Sequence, residues 1–341
     1  MKFWQKALFI IVLVLFVATS ITISLVSISR PPYKYELQSV QDGDAVDGWV
    51  FYAFSGNAGT KVLNIDFVRD KNGDGPDETK PVLGIRKYAV NADEYIEEIY
   101  IGAAVSSIDE TAFFNVKNLQ RVTVDPANEY YKDVDGVLYT KDGKTLLLYP
   151  ICYGRQPAEK EGEFTYPVSF AVPEGVERIG SFAFLKNGRL RDVTLPDTLK
   201  EIGDMAFFDC GRLGSYDYNA ETDTLEGTGF VLPDQLEKIG SDAFSKCGNI
   251  APLMYIPASV KEIGHHAFFS CGGVKDVYLG AADEAQFTAG DAWLPKSLKA
   301  GAAWKAPKPQ YGKTRAECET LAEAYKTDLL NNRREEARKN G

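Results

Sequence analysis

Hydrophobic residues recur through the middle of the chain in a unit of constant order. Four segments follow the pattern Pro-x-x-[Leu/Val]-x-x-Ile-Gly-x-x-Ala-Phe, and their isoleucines are Ile179, Ile202, Ile239 and Ile263. Two less regular copies place Ile85 and Ile108 at the same position. Successive isoleucines are 23, 71, 23, 37 and 24 residues apart. The unit is therefore about 23–24 residues long, and two of the units contain insertions.

Each unit also contains a short stretch in which apolar and polar residues alternate, as in Val122-Thr123-Val124. An alternation of period two with β-branched residues predicts a strand with one buried face. A single unit cannot bury its apolar positions alone, so neighbouring units must stack. Stacking aligns isoleucine on isoleucine and phenylalanine on phenylalanine, and it joins the strands in a parallel ladder. The pattern thus predicts a solenoid.

The residues after each isoleucine indicate the outer side of a coil. We expect four glycines at this point to take a backbone conformation that other residues resist: Gly180, Gly203, Gly240 and Gly264. The Ala-Phe stretch that follows predicts a short helical turn, which makes the expected fold class an α/β solenoid. In three units a cysteine comes next, at Cys210, Cys247 and Cys271, and we predict a buried stack of small side chains. A disulfide between Cys247 and Cys271 is the alternative.

The full string Leu-x-x-Val-x-Leu-Pro-x-x-Leu-x-x-Ile-Gly-x-x-Ala-Phe-x-x-Cys resembles the BspA-like leucine-rich repeat of bacterial surface proteins, over residues 82–280. Residues 134–146 resemble the hairpin insertion common in that family, which we assign to residues 130–150. The resemblance implies a leucine-rich repeat fold with non-catalytic binding or adhesion at the cell surface. The partner that it implies is a host protein, a neighbouring cell or the cell envelope.

The first 30 residues differ from the repeats. An uncharged run from Ala7 to Ser29 lies between Lys6 and Arg30, and at about 1.5 Å per residue it is long enough to cross a bilayer. The run predicts a single-pass transmembrane helix, with the N-terminus in the cytoplasm and the repeats outside the cell. The alternative is a cleaved signal peptide with its apolar core at residues 7–17, which would release the rest by secretion.

The segments that flank the repeats have the composition of caps. Residues 31–81 predict a β cap with a polar loop, and residues 281–312 predict a degenerate repeat that shields the last coil. Residues 313–341 predict a helix with a capping box and an apolar face of Cys318, Leu321, Ala322, Tyr325 and Leu329. This helix either packs on the last coil or binds a partner of the same cell. In the second case the protein would be a membrane-anchored envelope scaffold.

Composition and charge exclude several classes of protein. Hydrophobic residues make up 45% of the chain, which is enough for a core and excludes a disordered protein. Residues 31–341 contain all 48 acidic residues and 35 basic residues (the total of 38 less Lys2, Lys6 and Arg30), which gives a net charge of −13. Such a surface repels nucleic acid, so we expect no nucleic-acid partner.

The sequence contains no recognisable catalytic cluster, and we expect neither enzymatic activity nor a cofactor. The two histidines, His265 and His266, lie at variable surface positions of one repeat, and the five cysteines include no C-x-x-C pair. Calcium is a weak candidate for a bound metal ion. Asp70, Asn72 and Asp74 follow the ligand order of a calcium loop, but its twelfth position is Pro81 and not glutamate. A solvated insertion loop is the alternative.

The best candidate site is the exposed side of the strand ladder. In a leucine-rich repeat, the strand residues between buried positions point outward on the concave face. We predict that a protein ligand binds there through Glu98, Tyr100, Arg121, Thr123, Asp192, Thr194, Tyr255, Asp276 and Tyr278. Tyr255 and Tyr278 should lie one strand spacing apart, at about 4.8 Å. Tyrosine offers a large contact area at low entropic cost, but a tyrosine pair can equally stabilise the sheet.

Overall fold

Short strands and turns dominate the structure, with one long helix at the C-terminal end. The computed structural model describes residues 33–38, 48–54, 61–69, 79–250, 253–295 and 307–340. The helix, α1, comprises Arg315–Asn340, and a 3-10 turn comprises Glu284–Gln286. The predicted transmembrane run (7–29) and the calcium candidates Asp70, Asn72 and Asp74 lie outside the described residues. No helix in the described ranges is long and apolar enough to cross a membrane.

The strands follow one another along the whole described chain. The first eleven are β1 (Tyr33–Gln38), β2 (Gly48–Phe54), β3 (Val62–Ile65), β4 (Phe67–Arg69), β5 (Thr79–Ile85), β6 (Glu98–Ile101), β7 (Ser107–Ile108), β8 (Arg121–Val124), β9 (Tyr131–Val134), β10 (Val137–Thr140) and β11 (Thr145–Leu148). The later strands are β12 (Gln156–Pro157), β13 (Phe164–Thr165), β14 (Ser169–Ala171), β15 (Arg178–Ile179), β16 (Asp192–Thr194), β17 (Glu201–Ile202), β18 (Asp217–Asn219), β19 (Thr224–Glu226), β20 (Lys238–Ile239), β21 (Leu253–Ile256), β22 (Glu262–Ile263), β23 (Asp276–Leu279) and β24 (Thr288–Ala289). Those of the repeats join two separate ladders.

The first ladder contains four of the six isoleucines of the repeat, whereas Ile85 and Ile108 pair in parallel through β5 and β7 in a separate sheet. Strands β11, β15, β17, β20, β22 and β24 pair in parallel in this order. The register joins Ile179 to Ile202, Ile202 to Ile239, and Ile239 to Ile263, and all four side chains are buried. The predicted file of isoleucines and the parallel ladder are confirmed, because only stacked coils bury these positions.

The second ladder, which the sequence pattern placed on the concave face, is interrupted. Within the described residues it consists of three parallel pieces, β3-β6-β8, β14-β16 and β21-β23. Between the first two pieces the chain folds into the antiparallel meander β9-β10-β11. Between the last two it forms the hairpin β18-β19. The two insertions that lengthen the repeat spacing therefore divide this ladder.

The outer side of each coil is built from turns and not from helix. Phe182 and Lys186 have φ angles of 64° and 58°, and such left-handed residues interrupt a helix. The N–H of Phe184, which lies between them, donates to the carbonyl of Ala206 in the next coil at 2.8 Å. The predicted helical turn is therefore wrong. The coils form a β-solenoid, and the α/β description fails because the turns satisfy their hydrogen bonds between coils.

The glycine after three ladder isoleucines, Ile202, Ile239 and Ile263, is required by close approach and not by an unusual conformation. None of Gly180, Gly203, Gly240 and Gly264 has a φ in the left-handed region. A Cβ at Gly264 would lie 2.3 Å from the backbone nitrogen of Ser241 and 2.5 Å from the carbonyl carbon of Gly240, both in the preceding coil. The expected backbone strain is therefore wrong, because what excludes other residues is the lack of space between stacked coils.

A column of aromatic rings runs through the core of the repeats. Phe184, Phe207, Phe244 and Phe268 stack nearly parallel, with centroid separations of 4.7, 5.3 and 5.1 Å. Tyr149, which follows the meander, stacks on Phe184 at 5.0 Å. It takes the place of the phenylalanine in a coil that lacks the Ala-Phe motif, so the column continues across the irregular coil.

The three repeat cysteines lie beside the aromatic column. Cys210, Cys247 and Cys271 are buried, as the repeat pattern predicted, and all are free thiols. Each Sγ lies 3.0–3.1 Å from the carbonyl oxygen of a phenylalanine in the preceding coil, so the thiols donate between coils. Burial raises the pKa of Cys210 and of Cys271 to about 12. Because Cys247 and Cys271 are both free thiols, the alternative of a disulfide between them is wrong.

Two hydrophobic cores meet at the meander. Leu138 in β10 packs with the core that extends from Phe51, whereas its neighbours Val137 and Tyr139 pack with the core of the repeats. Because alternate residues of a strand point to opposite sides, β10 is buried on both faces. The meander thus joins the N-terminal coils to the repeats through one shared strand.

A half-buried ion pair also bridges these two halves. Both terminal nitrogens of Arg178 bind the carboxylate of Glu110, which also accepts the N–H of Ser181 at 2.8 Å. Burial acts to raise the pKa of Glu110, but these hydrogen bonds outweigh it and hold the pKa below its ordinary value of 4.5. The ionised form of Glu110 is therefore the form that the folded state stabilises.

We expect the stability of the protein to fall with pH through this group. A carboxyl whose pKa is lowered by folding contributes stability above its ordinary pKa, and that contribution is lost as the pH falls through the folded pKa. Below pH 4.5 the free energy of unfolding should therefore drop more steeply for the wild type than for Glu110→Gln. Denaturant titrations between pH 3 and 7 would measure this difference. Glu129→Gln, at an exposed site, should follow the wild type; equal slopes for all three would refute the role of Glu110.

Candidate binding surface

The first piece of the second ladder presents an open sheet face. The inward residues of β3, β6 and β8 are buried, whereas the alternate residues point outward. The parallel register places the outward residues in two rows, Val62-Glu98-Arg121 and Asn64-Tyr100-Thr123. Neighbours within a row are about 4.8 Å apart. We call these six residues the N-terminal face, and four of them belong to the predicted site: Glu98, Tyr100, Arg121 and Thr123.

The N-terminal face combines aliphatic, aromatic and charged side chains. Val62 is 55% exposed, and Nη1 of Arg121 lies 3.8 Å from Oε1 of Glu98. The hydroxyl of Tyr100 donates to Oδ2 of Asp125 at 2.6 Å. This hydrogen bond, together with burial, raises the pKa of Tyr100 to about 12. Tyr100 therefore presents a neutral ring that is held in one orientation.

Negative charge collects at one end of this face, where Asp66 follows β3 and Asp125 follows β8. Gly102 follows β6 between them, and a Cβ at Gly102 would lie 2.2 Å from Oδ1 of Asp66. Burial and the proximity of Asp125 raise the pKa of Asp66. The two carboxyl groups therefore repel each other, and this end of the face favours a partner that brings positive charge.

The second piece, β14-β16, is narrower, and its predicted residues have different surroundings. Asp192 accepts hydrogen bonds from Nε of Arg191 at 3.0 Å and from the N–H of Thr228 at 2.8 Å. Thr194 is exposed and lines a groove of about 400 Å³ together with Val231. Thr194 therefore belongs to the wall of a groove, Asp192 is held by its neighbours, and neither lies on the sheet face that carries Glu98 and Arg121.

The third piece, β21-β23, is covered by α1. Tyr255 and Tyr278 are neighbours in register, as the sequence pattern predicted. However, Tyr278 is only 7% exposed and packs with Leu253 and with Cys318 of the helix. The guanidinium of Arg315 lies 5.1 Å from the ring centroid of Tyr255. The prediction of an accessible binding surface at this tyrosine pair is therefore wrong, because the C-terminal helix of the same chain packs on it.

Asp276 is the remaining residue of the predicted site. It begins β23 and pairs in register with Leu253, at the half-exposed margin of the covered sheet. The structure thus divides the nine predicted residues among three surfaces. Sequence reasoning missed this division, since the predicted apolar face of the C-terminal helix did not indicate which strands the helix would cover.

Comparison with protein families agrees with the repeat geometry. The family described as "BspA type Leucine rich repeat region" matches in six copies, over residues 82–133 and 165–273. The chain is a BspA-type leucine-rich repeat protein. The gap between the two matched ranges contains β10, β11 and β12, which belong to the meander and the segment after it.

Several solved structures of bacterial leucine-rich repeat proteins are similar to this chain. The pneumococcal vaccine antigen PcpA is 16% identical, with 85% of this chain and 88% of that chain covered and a TM-score of 0.41. A leucine-rich cell surface protein of Faecalibacterium prausnitzii A2-165 is 26% identical, with 60% and 53% covered and a TM-score of 0.44. A leucine-rich repeat protein of Bacteroides ovatus is 20% identical, with 77% and 75% covered and a TM-score of 0.35. A search of curated proteins found no significant match.

The first ladder of this leucine-rich repeat protein carries alternating charges. The residues before each ladder isoleucine change sign from coil to coil in two rows, Lys144-Glu177-Lys200-Glu237-Lys261 and Arg178-Glu201-Lys238-Glu262. Glu177 is paired with both Lys144 and Lys200 at 2.8 Å. Each charge has a neighbour of opposite sign, so the charges within the rows cancel. The first ladder therefore exerts little electrostatic attraction on a partner. The alternation is visible in the sequence once the isoleucines are aligned.

The leucine-rich repeats show no metal site in the part of the chain that the structure describes, where no three His, Cys, Asp or Glu side chains converge. His265 accepts the N–H of Asp291 at its Nδ1 (2.9 Å), and the ring of His266 lies 5.2 Å from that of Phe269. Both histidines are exposed, at the surface positions that the repeat pattern predicted. Calcium binding at residues 70–74 stays a prediction, since those residues lie outside the described ranges.

Proposed function

We propose that this protein is a non-catalytic binding protein of the bacterial cell surface and that its N-terminal face binds a protein partner. One observation carries the proposal: three adjacent strands, β3, β6 and β8, keep their outward side chains accessible. In contrast, α1 covers β21-β23, and Asp192 in β16 is held by neighbouring residues. A face that joins tyrosine, arginine and an exposed valine has the chemistry of a protein interface.

The charge of the N-terminal face indicates the kind of partner. Glu98 lies on the face, and Asp66 and Asp125 lie at its end, so acidic groups outnumber Arg121. The chain as a whole is acidic, with a formal net charge of −10. A partner surface with lysine or arginine side chains would therefore be attracted at long range and would complement the carboxylates on contact.

The proposal places the repeats outside the cell. It is supported by the repeat family, whose members occur in bacterial surface proteins, and by the uncharged run at residues 7–29. In our proposal this run anchors the chain in the membrane; secretion after cleavage is the alternative. A second function, an envelope scaffold that acts through residues 313–341, is less well supported, because the inner side of α1 packs on its own chain.

A charge reversal on the N-terminal face tests the proposal. We expect Glu98→Lys combined with Tyr100→Ala to weaken partner binding at least tenfold, because the first change repels a basic partner and the second removes an aromatic contact. Residues 31–341 would be used for pull-downs from host-cell and bacterial envelope extracts. Mass spectrometry would identify proteins that the wild type captures and the variant loses.

The matched control is Glu262→Lys, which makes the same charge change at an exposed position on the first ladder. It should capture the same proteins as the wild type, with unchanged affinity. Circular dichroism of all three proteins would show that the solenoid is intact. If the double variant captured every wild-type partner with wild-type affinity, the N-terminal face would not be the binding site.

A further inference from the structure

Helix α1 lies on a solenoid whose core is complete without it. The core of the repeats is formed by residues of the coils, and Cys318 belongs to a separate small cluster with Leu253 and Tyr278. Among the helix side chains from residue 315 to 339, Cys318 alone is fully buried. Hydrophobic stabilisation scales with buried apolar area, so the packing of this long helix on the sheet is weak for its length.

Polar contacts near the two ends of α1 hold it in position. Arg315 binds Oδ1 of Asp234 through Nε at 3.0 Å and the carbonyl of Leu232 through Nη2 at 2.6 Å. Near the other end, Nε of Arg334 lies 2.9 Å from Oδ1 of Asp223 in the β18-β19 hairpin. Such partly exposed ion pairs contribute little stability individually and are screened by salt.

Two cation–π contacts lie between these ends. Nζ of Lys275 is 4.7 Å from the ring centroid of Tyr325, and Nζ of Lys326 is 5.7 Å from that of Tyr216. They too are peripheral, because each cation lies on the surface of the sheet or helix. The attachment of α1 therefore depends on a few contacts at its margin and one buried thiol.

The segment before α1 fixes the chain to the last coil. Gln310 pairs with Val277 and Leu279 of β23 through hydrogen bonds of 2.9 Å, so the chain is tied to the last coil there. Gly312 follows with a φ of 67°, a conformation that suits glycine. The N–H of Gly312 and that of Lys313 also donate to the carbonyls of Ala281 and Leu279, at 2.8 and 3.0 Å. The chain is therefore tied to the last coil as far as residue 313, and the helix can leave the sheet only from Thr314 onward while the ladder beneath it stays closed.

The helix also carries its own N-terminal cap, so it does not need the sheet in order to stay helical. The N–H of Thr314 donates to Oε2 of Glu317 at 2.8 Å, and the N–H of Glu317 donates to Oγ1 of Thr314 at 3.3 Å. This reciprocal capping box is the one that the sequence predicted. With 26 residues, α1 also exceeds the length at which isolated helices become marginal.

We propose that α1 is a detachable cover, which leaves the sheet while the solenoid stays folded and uncovers a second binding surface. That surface consists of Leu253, Tyr255 and Tyr278, and its occupant in trans is an amphipathic helix of a partner protein. The choice of occupant follows from what the surface already binds, which is a helix that packs a small apolar side chain, Cys318, against Leu253 and Tyr278. The surface is distinct from the N-terminal face, so either can function without the other.

Cys318 provides a built-in reporter of detachment. The other four cysteines are buried within the solenoid, whereas Cys318 is buried only by the docking of α1. Burial also raises the pKa of Cys318 to about 11, which suppresses its reaction while the helix is docked. In the folded full-length protein we expect a thiol reagent to label Cys318 at least tenfold faster than the four core thiols, with sites resolved by mass spectrometry.

Two neighbouring arginines give a matched pair of variants. Arg334→Ala removes the contact with Asp223 and should accelerate the labelling of Cys318 about threefold, while the core thiols keep their rate. Arg333→Ala removes an ion pair with Glu336 inside the helix and should leave the rate unchanged. If Cys318 reacted as slowly as the core thiols, or if both variants accelerated it equally, the detachable cover would be refuted.

Binding in trans is tested with the helix itself as the probe. A fluorescent peptide of residues 313–340 that carries Cys318→Ser would be titrated into the full-length protein. We expect the double variant Arg315→Ala, Arg334→Ala to bind it at least threefold more tightly than the wild type, because its own helix competes less. Equal affinity for the wild type and the double variant, or no binding to either at about 100 μM peptide, would overturn the second surface even if Cys318 labels rapidly.

Discussion

Replacement of Phe244 with alanine should lower the free energy of unfolding by about 3–5 kcal/mol. Phe244 is fully buried, and its ring stacks between those of Phe207 and Phe268, with interplanar angles of 4° and 3°. The ring of Phe230 packs edge-on against it at 5.3 Å. The substitution removes three ring contacts and leaves a cavity that the coils cannot close, because the ladder hydrogen bonds on both sides hold them at their spacing.

Denaturant unfolding followed by circular dichroism would measure this loss. The matched control is Phe208→Ala, because Phe208 lies next to Phe207 on the same turn but is half-exposed and touches the ammonium of Lys246. We expect the control to lose about 1 kcal/mol or less. Similar losses for the two variants would show that the column does not dominate the stability of the repeats.

Gly264→Ala should have the second largest effect, a loss of about 2–3 kcal/mol. The added Cβ would meet backbone atoms of Ser241 and Gly240 at 2.3–2.6 Å. Backbone atoms in a closed ladder cannot move aside as the end of a flexible side chain can. The two coils would therefore have to separate locally, which weakens the hydrogen bonds between them and the packing of Ile239 on Ile263.

Gly180→Ala is the control for this prediction. Its Cβ would have its nearest contact at 3.1 Å, with the carbonyl oxygen of Leu146. A shift of a few tenths of an ångström accommodates such a contact, so we expect a loss below about 1 kcal/mol. The same denaturant series would compare the two glycines. If Gly180→Ala were as destabilising as Gly264→Ala, the space between coils would not be the reason for glycine at these positions.

The candidate site could be predicted from the sequence only in part. The alternation in β6 and β8 correctly placed Glu98, Tyr100, Arg121 and Thr123 on the same side of neighbouring strands, because side chains alternate across a strand. The same argument made Tyr255 and Tyr278 neighbours. Their accessibility could not be read in this way, because periodicity shows which side of a strand points outward and says nothing about a distant segment that covers it.

Four features follow from the amino-acid sequence alone: the repeat, the file of isoleucines, the burial of the three cysteines and the helical C-terminal segment. These features depend on the period of the apolar residues and on local capping. Both are properties of short stretches of sequence. Three others needed the folded structure: the reason for glycine after Ile202, Ile239 and Ile263, the place of Tyr149 in the aromatic column, and the packing of Cys318 with Tyr278. Each of these depends on the distance between chain segments, which is set by the stacking of coils and the path of the insertions.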